Sequence, residues 1–224
     1  MKRSEINKAL KELEAMCARE HCYLPPFCNF TPEEWKTKGH EYDEVRDCML
    51  GWDITDFGSG DFLRIGLTLF TLRNGDPTDP AGKTYAEKLM YVRPGQVTPM
   101  HCHTRKMEDI IVRAGANLIV ELWLPDENGG LSDRDVTVNM DGVRQTFPAG
   151  TRIALAPGQS ITMARGLYHS FFADGGPCVV GEVSMVNDDN TDNRFLKPLG
   201  RFPTIEEDEP PYRLLCTEYP KTKD

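Results

Sequence analysis

The stretch GQVTPMHCHTRKMEDIIVRAG, residues 95–115, decides how the rest of this chain is interpreted. It places His101 and His103 two residues apart and Glu108 five residues further on, with a glycine at each end. Side chains at i and i+2 of a β-strand point to the same face, so both imidazoles can approach one ion from inside a barrel. Imidazole nitrogens plus a carboxylate suit Mn, Fe, Co, Ni or Zn better than Ca or Mg. The stretch therefore predicts a metal site.

We expect a fourth metal ligand from a separate strand, and His169 in GQSITMARGLYHSFFA is the candidate. The chain has five histidines, and the other two, His21 and His40, lie in the N-terminal part without a partner at ligand spacing. We expect these two to be surface or structural residues.

Short β-rich segments with turn residues between them surround the metal motif. Such spacing is typical of an antiparallel sandwich or barrel. Asp141-Gly142 and Pro157-Gly158 indicate turns between neighbouring strands. The predicted strand segments are FLRIGLTLFTLR (62–73), YAEKLMYVRPG (85–95), DIIVRAGANLIVELWLP (109–125), DVTVNMDGVRQTFPAG (135–150), TRIALAPGQSITM (151–163) and HSFFADGGPCVVGEVSMVN (169–187).

The sequence before residue 60 has a helical pattern instead. Behind Ser4, a candidate N-cap, four apolar residues recur at helical spacing and predict a helix over residues 4–20. Thr31, followed by a proline and two glutamates, predicts a short helix through Trp35. The four apolar residues are Ile6, Leu10, Leu13 and Cys17.

A chain of 224 residues with 39% hydrophobic content is long enough for one well-buried core. We expect a single domain in three parts. A helical extension over residues 1–60 packs on a barrel over residues 61–203, and an acidic, proline-interrupted strap follows over residues 204–224.

Charge and cysteine usage exclude several classes of partner. The formal net charge is −9 with scattered basic residues, so nucleic acid and anionic membrane surfaces would be repelled. No segment approaches the roughly 20 apolar residues that a membrane helix needs, and no export signal is present. Seven cysteines without a CxxC pair are typical of reduced thiols in a cytoplasm. We expect a cytoplasmic protein without a nucleic-acid or membrane partner.

The two histidine-bearing segments resemble the motifs of the cupins. The first cupin motif, G-x5-H-x-H-x3 or 4-E-x6-G, is matched in full by Gly95, His101, His103, Glu108 and Gly115. The second, G-x5-P-x-G-x2-H-x3-N, is matched by Gly158, Gly166 and His169, with Ala164 and Ala173 in place of its proline and asparagine. The resemblance implies a mostly β fold, the cupin double-stranded β-helix or jelly-roll barrel, with one divalent ion held by two motifs.

A finer resemblance, to the D-lyxose isomerases, extends over nearly the whole chain. It implies metal-dependent aldose–ketose isomerisation of a free sugar, with D-lyxose to D-xylulose as the leading pair and D-mannose to D-fructose as the second. We expect one divalent cofactor, with Mn first and Co, Zn, Ni or Fe as alternatives. The segments that carry the resemblance are PPFCNFTPEEW (25–35), LGWDITDFGSGDF (50–62), YAEKLMYVRPGQVTPMHCHTRKMEDI (85–110) and SMVNDDNTDNRF (184–195).

The proposed chemistry needs a group that removes a proton beside a carbonyl and returns it to the neighbouring carbon. Glu182 lies in the apolar run PCVVGEVSMV, where a charge is costly without a role or a partner. Lys88, on the strand before the metal motif, can polarise a sugar oxygen if it faces the cavity. We predict both as catalytic residues, with a structural ion pair or solvent exposure as the alternatives.

Further polar residues are candidates for sugar binding. Lys106 lies between the metal ligands, in a loop where it would otherwise be exposed. A cluster of polar residues follows the strand that contains Glu182 and could bind sugar hydroxyls. An ordinary turn has the same composition and is the alternative interpretation. Glu206 and Glu207 begin the tail, which we predict to fold over the barrel mouth as a lid. The predicted substrate-binding residues are Lys106, Asp188, Asp189, Arg194 and Glu206, and Asp192 belongs to the same cluster.

Cupin membership alone leaves other functions open, because one barrel hosts many reactions. A metal-dependent dioxygenase uses a similar ligand set, and an apolar or aromatic pocket would favour it. A non-catalytic sugar-binding cupin would share the whole metal site. A sugar-phosphate isomerase would need a basic cluster, and none is obvious. We also expect a homodimer, because an exposed strand edge is a ready template for pairing.

Overall fold

The computed structural model describes residues 1–79, 81–189 and 191–222 of the chain. Within these residues no helix combines the length and apolar character needed to cross a membrane. The helices are α1 (Arg3–Arg19), α2 (Pro32–Trp35) and α3 (Asp43–Asp47), with 3-10 turns at Pro26–Asn29 and His40–Tyr42. The strands are β1 (Gly51–Thr55), β2 (Leu67–Arg73), β3 (Tyr85–Val92), β4 (Thr98–His103), β5 (Glu108–Pro125), β6 (Leu131–Ser132), β7 (Val136–Met140), β8 (Val143–Phe147), β9 (Arg152–Leu155), β10 (Ser160–Met163), β11 (Tyr168–Met185) and β12 (Asn193–Phe195).

Two long strands, β5 and β11, organise the sheet. They pair antiparallel with each other along both halves of their length. The order of hydrogen-bonded strands along the main path of the sheet is β1-β2-β3-β11-β5-β10-β7-β8. The first half of β11 also pairs with β4, and β4 pairs with β12, while the second half of β5 carries β9. A bulge between Asp174 and Cys178 separates the two halves of β11. This antiparallel architecture confirms the predicted mostly β, cupin-like fold.

Alternating side chains of β5 fill the barrel interior. Ile110, Val112, Leu118 and Val120 are fully buried in one continuous apolar core. Burial of each such side chain contributes about 1.5–3 kcal/mol. The predicted hairpin turn Asp141-Gly142 joins β7 to β8, with positive φ at both residues.

A second apolar core lies between α1 and the outer face of the sheet. Ile6, Leu10 and Leu13 are fully buried there against Trp52 and Phe70. The apolar stripe of the predicted N-terminal helix is thus confirmed.

One of the two predicted helix N-caps is confirmed and the other is not. The prediction of Ser4 as N-cap was wrong, because α1 begins at Arg3, and the Ser4 hydroxyl donates to Asp208. At α2, Thr31 is the N-cap as predicted, and its hydroxyl accepts from the backbone N–H of Glu34 at 3.1 Å.

The extension over residues 1–60 is helical only in its first part. Gly51–Thr55 forms β1, which pairs with β2 and extends the sheet. All five residues of β1 are buried, since α1 and the Pro26–Asn29 turn cover one face and the barrel covers the other. Apolar Trp52 and Ile54 alternate with polar Asp53 and Thr55, a pattern that indicates a strand and that the prediction of a helical extension overlooked.

The tail after residue 204 packs on the N-terminal helix. Glu206 exchanges backbone hydrogen bonds with Met1 and Arg3, and Glu207 pairs with the Arg3 guanidinium. Cys216 donates its N–H to the carbonyl of Trp52. The prediction that Glu206 and Glu207 form a lid was therefore wrong, because the tail covers the helical side. The last two residues of the predicted strap, 223–224, lie outside the described residues.

Candidate active site

A cavity inside the barrel brings together most of the predicted site residues. It has an empty volume of about 510 Å³, including space open to solvent at its mouth. Its polar lining consists of Thr55, Lys88, Thr98, His101, His103, Lys106, Glu108, Glu182, Asp189, Asn193 and Arg201. Its apolar lining consists of Phe57, Leu67, Leu69, Met90, Ile110, Phe171 and Phe195.

Three buried histidines meet at this cavity, and two of them, His101 and His103, line it. His101 and His103 share one face of β4, and His169 comes from the start of the neighbouring β11, directly opposite His101. Their ligand nitrogens lie within 4.8 Å of one another, so this cluster is able to hold a metal ion. Burial and the neighbouring imidazoles lower the pKa of His101 well below its usual value, and burial lowers that of His103. Both rings are therefore neutral, which is the state that binds metal.

Backbone carbonyls fix the orientation of two of these rings. His101 Nδ1 lies 2.7 Å from the carbonyl oxygen of Pro99, and His169 Nδ1 lies 3.0 Å from that of Leu167. A carbonyl only accepts, so each Nδ1 carries the proton and each Nε2 presents a lone pair. This arrangement is common for histidines that ligate a metal through Nε2.

Glu108 completes the cluster from the start of β5. Its Oε1 lies 3.2 Å from His169 Nε2, and its Oε2 lies 3.3 Å from His103 Nε2. His169 Nε2 is buried and makes no hydrogen bond within the described part of the chain. Two lone pairs 3.2 Å apart repel each other unless a cation lies between them. Adjacent ligands of one ion are about 3 Å apart when its bonds are about 2.1 Å, so these four residues fit a metal.

Glu182 lines the same cavity, between two lysines. Its Oε1 accepts from Lys106 Nζ at 2.8 Å and from Lys88 Nζ at 3.1 Å. Burial alone would raise the pKa of Glu182, but the two ammonium groups outweigh it and lower the pKa. Glu182 is therefore an ionised carboxylate in a cavity, where it is available as a base.

Lys106 links this carboxylate to the metal cluster. Its side chain is 3% exposed, and its Nζ lies 2.9 Å from Glu108 Oε2. Burial lowers the pKa of Lys106, but the Glu108 and Glu182 carboxylates raise it above its usual value overall. The alternative of a solvent-exposed Lys106 is thereby excluded. Both lysines also donate to Asn187 Oδ1, a residue that sequence reasoning missed.

Asp189 is the one member of the predicted polar cluster that lines the cavity. It pairs with Arg201 at 3.0 Å, and Arg201 pairs with the buried Asp53 at 2.5 Å. Burial opposes ionisation of Asp189, but Arg201 lowers its pKa below the usual range. Sequence reasoning also missed Arg201, because nothing around LGRF distinguishes a cavity arginine from a surface one.

Three predicted substrate-binding residues lie elsewhere. The Arg194 side chain is exposed beside Gly129, because its neighbours Asn193 and Phe195 take the cavity-facing positions of β12. Asp188 lies outside the cavity and accepts from Arg105 Nη2 at 2.7 Å. Glu206 is on the strap beside Met1. The structure thus places these three residues outside the cavity. Asp192 holds the ligand loop instead, accepting from Thr104 and from the backbone of Arg105.

A sequence model of the D-lyxose isomerase family matches residues 1–219 of the chain. The chain belongs to this family. The D-lyxose/D-mannose isomerase of Serratia proteamaculans is 54% identical over 223 residues, covering 98% of both chains. The enzyme of the same name from Escherichia coli O157:H7 is 52% identical over 223 residues, again covering 98% of both.

The fold is shared more widely than the family. The solved structure of Cellulomonas parahominis L-ribose isomerase with L-ribose aligns with a TM-score of 0.61 and 20% identity. The alignment covers 92% of this D-lyxose isomerase family member and 98% of the solved chain. At that identity the likeness concerns the fold.

Proposed function

We propose that this chain is a metal-dependent aldose–ketose isomerase of free sugars. The leading pair is D-lyxose and D-xylulose, and the second is D-mannose and D-fructose. The names of the relatives that match over almost the full chain support this proposal. The observation that carries it is the ionised Glu182 between two lysines, in the same cavity as the histidine cluster.

We assign one divalent ion to His101, His103, Glu108 and His169. Three imidazole nitrogens and one carboxylate suit a late first-row ion, and we propose Mn, with Co, Zn, Ni or Fe as alternatives. When bound, the ion supplies Lewis-acid stabilisation of negative charge on sugar oxygens.

Glu182 performs the proton transfer in this proposal. The C2–H bond of the aldose breaks, its proton passes to Glu182, and its electron pair forms a C1–C2 double bond while the carbonyl electrons move onto O1. Transfer of the proton from Glu182 to C1, while the O2–H proton passes to O1 and C2 becomes the carbonyl carbon, gives the ketose. Lys88 and Lys106 keep Glu182 ionised before this step, and their N–H groups are positioned to donate to the enediolate oxygens.

The alternatives differ in what they require of the cavity. Apolar side chains such as Phe171 and Phe195 would also suit a dioxygenase. The lysine–carboxylate cluster and the family of the chain favour a polyol substrate and isomerisation. An ionised carboxylate held between two ammonium groups favours catalysis over sugar binding without turnover.

A turnover assay tests the proposal. The purified protein, stripped with EDTA and reloaded with Mn or Co, is incubated with a panel of free aldoses, and ketose formation is followed. We expect turnover only after reloading, with D-lyxose among the best substrates. Turnover after verified metal removal would exclude the Lewis-acid role. Failure of the loaded protein with every aldose would exclude the isomerase assignment.

We also propose a cytoplasmic homodimer. The seven cysteines are free thiols and six of them are buried, in keeping with a reducing compartment. Four apolar side chains form an exposed patch on the outer face of the sheet, a feature typical of protein contacts. They are Tyr85, Met107, Val183 and Met185. A monomeric mass by light scattering would overturn the dimer.

A further inference from the structure

One hydroxyl in the cavity has no hydrogen-bond partner within the described part of the chain. Thr98 is 3% exposed and lines the cavity, and its Oγ1 is buried without a hydrogen bond among the residues that the structure describes. Its backbone carbonyl is occupied, since it accepts from the Ser170 hydroxyl at 2.8 Å. Buried hydroxyls are almost always paired, so an unpaired one in a ligand cavity indicates a partner from outside the chain.

An irregularity in β4 turns Thr98 toward the cavity. Thr98 pairs with Phe171 and His101 pairs with His169, so three steps along β4 match two along β11. In a regular strand, residues three apart face opposite sides. The extra residue allows Thr98 and His101 to line the same cavity, as bulges beside active sites commonly do.

The surroundings of Thr98 are apolar. Its cross-strand partner Phe171 and the nearby Leu67 both line the cavity. Gly66, next to Leu67, donates its N–H to the carbonyl of Val97. Thr98 is separated from His101 by about 10 Å of strand, a length comparable to an extended five-carbon sugar. The charged groups that we assign to the reacting carbons, Lys88, Lys106 and Glu182, lie outside β4.

We infer that Thr98 Oγ1 binds the terminal hydroxyl of the sugar, at the end of the molecule opposite the reacting carbons. This inference rests on the proposed isomerase function. The middle carbons of a sugar each carry a hydroxyl and need several polar partners. The terminal CH₂OH group carries one hydroxyl on an apolar carbon, which matches one threonine hydroxyl among apolar side chains. Thr98 is thus a specificity-determining residue.

The test pairs an enzyme change with a substrate change. The substrates are D-lyxose and 5-deoxy-D-lyxose, which lacks the terminal hydroxyl, and the variant is Thr98→Val, which lacks the threonine hydroxyl at nearly constant shape. We expect Thr98→Val to lower kcat/KM for D-lyxose about tenfold, the usual effect of one neutral hydrogen bond, and to leave kcat/KM for the deoxy sugar nearly unchanged. The ratio of the two sugars is compared between enzymes, so their different open-chain fractions cancel.

Thr68→Val is the matched control. Thr68 is fully buried on β2, and its hydroxyl accepts from Arg93 at 3.2 Å, outside the cavity. We expect this variant to lose thermal stability and to keep the wild-type ratio between the two sugars. Thr98→Ser, which keeps the hydroxyl, should also keep that ratio.

The outcomes separate the inference from the function on which it rests. If the wild type turns over D-lyxose and Thr98→Val keeps its ratio between the sugars, the hydroxyl pairs with a buried water and the inference is overturned. If Thr98→Val fails to fold or loses metal by elemental analysis, Thr98→Ala is measured by the same criterion. Absence of wild-type turnover on D-lyxose would overturn both.

Discussion

Glu108 Oε1 lies 3.2 Å from His169 Nε2, whose lone pair faces it, a contact that is favourable only with a cation between them. Alanine at Glu108, or at His101, His103 or His169, should therefore remove the bound metal and abolish turnover. It should also lower Tm in the presence of metal, because an ion that binds only the folded state stabilises it by mass action. Elemental analysis, the ketose assay and thermal unfolding check these three effects.

The matched control is His40→Ala. His40 is an exposed histidine that pairs with Asp43, and neither residue lines the cavity. This variant should keep metal and turnover. If any two of the four alanine variants keep stoichiometric metal and full activity, the assignment of these residues as metal ligands is refuted.

Glu182→Gln separates metal binding from proton transfer. The amide keeps the shape of the carboxylate but has no basicity, so turnover should fall by about two to four orders of magnitude. Bound metal should remain, since Glu182 contacts lysines rather than the histidines. Glu121→Gln, on the outer part of β5 beside Arg152, is the control and should keep the wild-type rate. A near wild-type rate in Glu182→Gln with metal bound would move the base role to Asp189.

Solvent deuterium gives an independent check of the proton route. An enediolate with Glu182 as the base lets the migrating hydrogen exchange with water at least in part, so ketose formed in D₂O should carry deuterium at C1. A hydride shift between C2 and C1 would retain the original hydrogen. Mass spectrometry or proton NMR of the product distinguishes the two.

At the scale of single residues, sequence predicts side chains whose spacing is set by a strand. His101 and His103 were predicted because alternate residues share a face, and Glu108 was predicted by its fixed motif spacing. Arg194 was misplaced by one position, since only Asn193 and Phe195 on the same strand face the cavity. Arg201 was missed because its position depends on the path of an irregular segment. It meets Asp53, a residue 148 positions away.

At the scale of elements, the middle of β5, opposite the bulge of β11, requires a glycine at position 115. Its φ is +92°, and an added Cβ would meet the Pro177 carbonyl oxygen at 2.4 Å and Met16 at 2.6 Å. Gly115→Ala should therefore lower the free energy of unfolding by more than the roughly 1–2 kcal/mol of the left-handed backbone alone. Gly142→Ala is the control, since Gly142 has φ +80° and nothing within 4 Å of an added Cβ. Urea unfolding of both variants measures the difference, and equal losses would show that close packing at Gly115 contributes nothing.

Element type followed from periodicity where one face of an element meets solvent. α1 and the strands β5 and β7 alternate between buried and exposed residues, and their patterns predicted them. β1 was missed although apolar Trp52 and Ile54 alternate with polar Asp53 and Thr55. The bulge in β4 was missed because an extra residue shows only against the register of β11. Such a register arises from pairing between distant segments, which local sequence does not record.

At the scale of the whole molecule, the strap and the N-terminal helix are joined through Arg3. Its guanidinium is 2% exposed, donates to both oxygens of Glu207 at 2.6 and 2.8 Å, and also donates to Glu218. Arg3→Ala should destabilise the protein by about 2 kcal/mol, because it opens a buried space and breaks two ion pairs. Metal content and kcat should stay at wild-type values, since the strap does not cover the cavity. Arg19→Ala, an exposed arginine on the same helix, should cost about 0.5 kcal/mol or less.

The stabilisation that the ion pair between Arg3 and Glu207 gives the folded protein should also depend on pH. The hydrogen bond from Arg3 lowers the pKa of Glu207, so the folded-state pKa lies below the unfolded value of about 4.3. The stabilisation is then fully present above the unfolded pKa and is lost as pH falls through the lowered folded-state pKa. The Tm difference between wild type and Arg3→Ala should be widest near pH 7 and should narrow below about pH 4. Since Glu207 is 58% exposed, salt should reduce the difference as well. A difference that stays constant with pH and salt would show that packing of the Arg3 side chain, rather than its charge, holds the strap.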